Sequence, residues 1–280
     1  MDTIRAIQEK IINIIQESAG SIDKKQKLYH YTNCSALLNI LKDNELWLSQ
    51  REYMNDVYER SYANRILQDA FDMVYGINGE EAYCDFIDRM MPEVEKYYVF
   101  SLTTEHDLMS QWSYYGGNDG YCISFFAEEI TSIFKGNSYR IQTGKIIYNK
   151  SVQLDIFCTI LRYLKYLEEN HSSIAQDTYL EDSLTASSLL ILFHTLTKQE
   201  NNHTENEYRI VISNPPNINF RNRKGIVIPY TKIKFDKSIP IKEIMVGPGI
   251  NDKIAIDGLK QYIDSLKLDI DIQKSVMQVR

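Results

Sequence analysis

Two long apolar-periodic segments, Val152–Glu169 and Asp177–Gln199, stand between two groups of short strand-like runs, and this placement constrains the fold more than any other feature of the chain. A doubly wound sheet needs a helix after nearly every strand. Here the strand-like runs Leu28–Tyr31, Glu45–Ser49, Tyr97–Leu102, Tyr121–Phe126 and Ile141–Tyr148 precede the helical pair, and Tyr208–Ser213, Gly225–Ile228, Glu243–Val246 and Leu268–Gln273 follow it. Further helices are expected after Asn33 or Ser35, from Asp56 to about Met91 with a break at Gly76–Gly79, over Asp107–Tyr115, and over Asp252–Leu266. The pattern is that of an α+β fold: a mixed, mostly antiparallel central sheet with flanking helices and a helical insertion. Residues 28–280 read as a single domain with the insertion at about 150–200. Ile4, Ile7, Ile11, Ile14 and Ile15 recur at helical spacing, so residues 1–20 read as a separate amphipathic helix.

Hydrophobic residues at 44% and charged residues at 25% are the values of an ordinary globular chain, which sets aside disordered, collagenous and coiled-coil classes. The net charge of -7 argues against a general nucleic-acid or anionic-membrane binder. One stretch departs from it: Arg221, Arg223, Lys224, Lys232, Lys234 and Lys237 stand against Asp236 alone, as a solvated edge or as a border to a cleft. No run approaches the ~20 apolar residues of a membrane span, the closest being Leu189–Leu196 with His194 inside it. Cys34, Cys84, Cys122 and Cys158 form no C-x-x-C pair and read as buried free thiols of a cytoplasmic protein. His106, His171, His194 and His203 lack metal-ligand spacing, so no metal site is expected.

The chain contains no P-loop, dinucleotide fingerprint, nucleophile elbow or H-E-x-x-H. Its candidate residues sit instead at the ends of apolar segments. In Tyr29-His30-Tyr31-Thr32, strand alternation sends His30 to the opposite face from Tyr29 and Tyr31, as a ligand contact or as a structural junction. Ser49, Gln50, Arg51 and Asn55 crowd polar groups past the second strand, while Asp56 with Glu59 reads equally as a capping box. Ser101 puts a hydroxyl into an apolar strand. Trp112 and Tyr115, three apart on a helix, share a face that suits either a flat ring or the core. Glu205 and Glu207, two apart at a strand start, point to one side and repel unless a cation stands between them; Arg209 continues that face.

With these residues in view, the chain resembles the prokaryotic family catalogued as domain of unknown function 2971, over residues 28 to 280. The resemblance runs through Leu28–Thr32, Leu46–Ser49, Asn55-Asp56-x-x-Glu59, Phe100-Ser101, Trp112 with Tyr115, Gly120–Ile123, Glu205-x-Glu207-Tyr208-Arg209, Ile244–Pro248 and Ser275–Arg280. Tyr208 stands where the family more often shows Trp.

A second resemblance, to the ADP-ribosyltransferases, lies in the strand-end His and hydroxyl residue, the aromatic middle and the late Glu-x-Glu. It implies an ADP-ribosyltransferase-like fold and NAD as substrate, with no metal. Glu207 would be the catalytic carboxylate and Glu205 the residue that orients the acceptor. His30, Tyr31, Thr32, Ser49, Asn55, Ser101, Trp112, Tyr115 and Arg209 would bind the cofactor, with Trp112 or Tyr115 stacking on nicotinamide. The acceptor would be a macromolecule, protein or nucleic acid, and the protein a toxin or phage-defence effector with a cognate antidote or defence-system partner. The alternatives are a nucleotide-binding sensor or regulatory module without catalysis, and an NAD glycohydrolase.

Overall fold

The computed structural model describes residues 22–56, 58–76, 80–91, 96–135, 141–223, 225–235, 239–249 and 252–277. The amphipathic segment 1–20, with Lys224, Lys237 and residues 278–280, lies outside them. In chain order the elements are β1 (Lys27–Asn33), α1 (Cys34–Asp43), β2 (Glu45–Gln50), α2 (Glu59–Tyr75), α3 (Glu80–Met90), β3 (Tyr97–Thr103), β4 (Gly120–Phe126), α4 (Ala127–Lys135), β5 (Ile141–Lys145), α5 (Lys150–Asn170), α6 (Gln176–Thr195), β6 (Glu207–Ser213), β7 (Asn219–Arg223), β8 (Ile226–Lys234), β9 (Ile241–Val246), α7 (Asp252–Ser265) and β10 (Asp271–Lys274). Contacts divide the described chain into a sheet unit, comprising 22–50, 98–143 and the residues from Glu205 onward, and a helical unit, comprising Arg51–Tyr97 and Gly144–Thr204.

The sheet unit carries strands in the order β10-β9-β4-β1-β3-β2-β8-β7, with β6 joined to β3 and to β5. β4 pairs antiparallel with β1 and β9, and β2 with β3 and β8; β10 joins β9 in parallel. The expected α+β architecture with a mostly antiparallel sheet and flanking helices is therefore present. Alternation sends Leu28, Leu46, Leu48, Phe100, Ile123, Phe125, Ile210 and Ile244 to one side, where Leu37, Ile40 and Leu41 of α1 and Leu259 and Ile263 of α7 cover them. Asn33 begins α1, its side-chain oxygen accepting the Ala36 N–H at 2.9 Å. Asn44 ends it in the left-handed conformation at φ 56°.

Within the helical unit, α2, α5 and α6 pack through Ile66, Leu67, Phe71, Phe157, Leu161, Leu190 and Phe193, and α3 adds Tyr83 and Phe86. The apolar run at the end of α6 is buried on all sides from Ser188 to Thr195. His194 accepts a hydrogen bond on Nδ1 from Arg51 Nη1 at 2.7 Å, so its Nε2–H donates to Asn64 Oδ1 at 2.7 Å. Burial first and the Arg51 charge second hold its pKa well below the ordinary value, so it is a neutral core residue. The Asp56/Glu59 capping-box reading gives way: Asp56 Oδ1 accepts the Tyr58 N–H, while Glu59 is buried and pairs with Lys198 at 3.8 Å. Among the described residues no helix is long and apolar enough to cross a membrane. All four cysteines are free; Cys122 and Cys158 are buried, but Cys84 is exposed.

A close backbone approach fixes one end of the sheet unit. Gly247 N–H donates to Gly120 O at 2.9 Å, and a Cβ on Gly247 would sit 2.7 Å from that oxygen and 2.9 Å from the buried Trp112 ring. Neither the strand nor the ring can yield without disturbing its neighbours. Gly247→Ala is accordingly expected to destabilise the sheet unit by about 1–3 kcal/mol, read as a lowered urea midpoint by tryptophan emission; an unchanged midpoint would show that the contact relaxes freely.

Candidate functional site

A cleft of about 350 Å³ opens in the sheet unit, lined by Tyr29, His30, Tyr31, Ser101, Leu102, Thr103, Gln111, Tyr115, Glu205 and Glu207. The cleft follows from an interrupted pairing. β1 is paired with β4 along its whole length, but with β3 only at Tyr29↔Thr103. Where His30 and Tyr31 would continue the ladder, the strands part, and side chains of either face reach the gap. The Ser101 carbonyl, facing this gap, accepts a hydrogen bond from His30 Nδ1–H at 3.0 Å. That bond fixes the tautomer, leaving Nε2 as an acceptor. The imidazole stacks on Phe100 at 4.4 Å. Burial, helped by the Arg221 charge and opposed by the Ser101 bond, pushes its pKa down to about 4, so the ring is neutral at pH 7.

Ser101 Oγ is buried against the same cleft with no hydrogen-bond partner among the described residues. A buried hydroxyl left unsatisfied costs about 1–3 kcal/mol, and a ligand group can supply the missing bond. Tyr31, by contrast, is structural in its polar contacts: its hydroxyl accepts the Leu108 N–H at 2.9 Å and donates to Glu105 O, while Trp112 meets its ring edge-on at 4.7 Å. Burial lifts the pKa of Tyr29 to about 12, with Glu243 adding to the effect.

Tyr115 and Trp112 do not share a face. Gly117 N–H bonds to Trp112 O, five residues back, so Trp112–Gly116 winds as a π-turn. The wider turn leaves Tyr115 at the cleft, 38% exposed, and buries Trp112, whose indole N–H donates to Asp107 Oδ1 at 2.8 Å. Asp107 also accepts from Ser275 Oγ and Val276 N–H. Burial would raise its pKa, but these three bonds outweigh burial and hold it below the usual carboxylate value.

The two glutamates also depart from simple strand alternation. Glu205 ends a 3-10 turn, Asn206 takes the left-handed conformation at φ 40°, and the strand begins at Glu207. The corner is clamped by Thr103, whose hydroxyl donates to Glu205 O at 2.6 Å, and by Thr104, whose N–H donates to Asn206 O at 3.1 Å. Arg209 is the cation that pairs with Glu207. Its Nε and Nη2 donate to the two oxygens of Glu207 at 2.8 and 3.0 Å, with Arg209 fully buried and Glu207 6% exposed. The pair is thus no surface ion pair of small consequence. It sets Glu207 at the cleft wall with both oxygens bonded to the buried guanidinium.

Residues 111–210 match the family model described as protein of unknown function (DUF2971). The matched stretch takes in Trp112, Tyr115, Gly120–Ile123 and Glu205–Arg209; the resembling elements at 28–59, 100–101, 244–248 and 275–280 lie outside it. No curated protein and no solved structure matches the chain.

Of the residues read from the sequence, His30, Tyr31, Ser101, Tyr115, Glu205 and Glu207 line the cleft. Thr32 is buried in the β1–β4 pairing, Arg209 stands behind Glu207, and Ser49 Oγ accepts a hydrogen bond from Arg221. Trp112 belongs to the core, and Asn55 is an exposed residue of the helical unit. Tyr29, Leu102, Thr103 and Gln111 were not singled out for the site. Tyr29 carried a usable signal, being the same kind of residue on the same strand face as Tyr31; Leu102, Thr103 and Gln111, all buried, carried none, because long-range packing rather than local spacing brings them to the cleft.

Proposed function

We propose that the protein is an ADP-ribosyltransferase-like enzyme that cleaves NAD and transfers its ADP-ribose to a macromolecular acceptor. The observation that carries this reading is the convergence of His30, Ser101, Tyr115, Glu205 and Glu207, from four separate parts of the chain, on one cleft. Their chemistry suits the reaction. Tyr115 offers an exposed ring face for the nicotinamide. Ser101 Oγ and His30 Nε2 are hydrogen-bonding groups for the amide and the ribose. Breaking the nicotinamide–ribose bond develops positive charge on the ribose, and the Glu207 carboxylate at the cleft wall is the group that stabilises it. Glu205, closer to solvent, receives the proton of the attacking acceptor.

The test is nicotinamide release from NAD incubated with the full chain and a cell lysate, together with transfer of labelled ADP-ribose to a macromolecule. Tyr115→Ala is expected to lower release at least tenfold, with the melting temperature within about 2 °C of wild type because the ring is part-exposed. Undiminished release would remove Tyr115 from the site. Free nicotinamide without a labelled macromolecule would reassign the protein as a glycohydrolase.

A second reading is favoured by one specific observation. Both Glu207 oxygens are already engaged by Arg209, which suits a cleft that binds a nucleotide without turning it over. In that case NAD raises the melting temperature and no nicotinamide appears on prolonged incubation.

A further inference from the structure

Beyond the cleft, the same sheet holds a cation that nothing in the described chain neutralises. Arg221 lies on β7, the outermost strand of its edge. Its Nη2 donates to Ser49 Oγ at 2.7 Å, and its guanidinium stands 5.9 Å from the Trp47 ring centre and 5.7 Å from that of Tyr230. Its Nε–H is buried without an acceptor among the described residues. No carboxylate pairs with it among the described residues: the neighbouring Glu45 is engaged by Lys232 at 3.0 Å, and the charge next to Arg221 on its own strand is a second cation, Arg223. A half-buried guanidinium held by a neutral hydroxyl and two rings is an uncompensated charge with an unfilled donor. Phosphate is the anion whose oxygens suit that fork.

The sheet register relates this cation to the cleft. Ser49 pairs with Tyr230 on one side and with Val99 on the other, and Ser101 is the next residue of β3 on the same face as Val99. Strands about 4.8 Å apart and residues i and i+2 about 6.8 Å apart put the backbone of Ser49, whose hydroxyl holds the guanidinium, roughly 8 Å from that of Ser101 on the same face. The lowering of the His30 pKa by Arg221 agrees with that closeness.

We infer that Arg221 is the phosphate-binding residue of a nucleotide whose opposite end occupies the cleft at Ser101 and Tyr115. This rests on the proposed function only for the choice of a dinucleotide as ligand. The rings of Trp47 and Tyr230 orient the guanidinium, and its N–H groups other than the buried Nε–H donate to the phosphate oxygens.

The test is a fluorescence titration of the full chain with inorganic pyrophosphate, since binding at Arg221 disturbs Trp47 while Trp112 sits in the core. Wild type is expected to show a saturable change in emission. In R221Q the affinity falls at least tenfold, and the melting temperature without ligand is equal to or above that of wild type because an uncompensated cation has been removed. W47F abolishes the optical signal but keeps the pyrophosphate-induced rise in melting temperature. Equal pyrophosphate affinity in wild type and R221Q would overturn the assignment, as would displacement of pyrophosphate by a short oligothymidylate but not by NAD. Pyrophosphate binding through Arg221 without nicotinamide release would leave the phosphate site standing and remove only the transferase reading.

Discussion

Glu207→Ala is expected to abolish nicotinamide release and, separately, to cost on the order of 3–5 kcal/mol of folding stability. The second effect follows from Arg209, which has no exposed surface and directs two N–H donors at the Glu207 carboxylate. Removing the carboxylate takes two charge-assisted hydrogen bonds from a buried cation. A simple loss of activity in this variant would therefore mix chemistry with unfolding. The paired change Glu207→Leu with Arg209→Met separates the two, because replacing a buried ion pair by apolar groups of similar volume is often neutral or better. The double variant is expected to recover most of the urea stability while releasing no nicotinamide. A Glu207→Ala chain as stable as wild type would show that the pair is not the buried unit described, and turnover by the double variant would remove Glu207 from the reaction.

The second large effect is on the acid side of the stability curve. His30 has its pKa pushed down to about 4, mainly by burial, whereas in the unfolded chain it titrates near ~6.5. Above pH 6.5 both states hold the ring neutral and no penalty exists. As the pH falls from 6.5 towards 4, the unfolded chain takes up a proton that the folded chain refuses, so stability falls by about 1.4 kcal/mol per pH unit, to a total of about 3 kcal/mol. Both tryptophans, Trp47 and Trp112, lie in the sheet unit with His30, so tryptophan emission during urea unfolding at pH 7, 6 and 5 reads this loss. In His30→Asn the slope is expected to fall by one proton. An unchanged slope would mean that the ring is protonated in the folded cleft.

Local signals carried much of the architecture. Asn33 as a helix cap and the alternating strand cores emerge from spacing alone, because each depends on residues within a turn or a strand of one another. The basic hairpin was half legible: its charge pattern suits an exposed strand pair, but only Gly225–Ile228 has the apolar character that bounds a strand, since Arg221-Asn222-Arg223 has the polarity of a loop although it pairs along Ile226–Ile228. The site was harder to read. Tyr115 and Glu207 were singled out by residue type, but the geometry behind them was missed twice, once because the chain winds a π-turn at Trp112 and once because Asn206 turns left-handed between the two glutamates. Both are backbone departures that no period-3.6 or period-2 reading detects. Asn55 is a different case: polar residues past a strand end follow the chain wherever it goes, and here it enters the helical unit.

The most direct measurement of the central claim is mass-spectrometric detection of nicotinamide and of ADP-ribosylated macromolecules after NAD is incubated with the purified full chain, with and without lysate. Nicotinamide release by wild type, its absence in the stable Glu207→Leu/Arg209→Met variant, and ADP-ribose on a lysate macromolecule are the expected results. No nicotinamide and no NAD-induced rise in melting temperature would contradict the account.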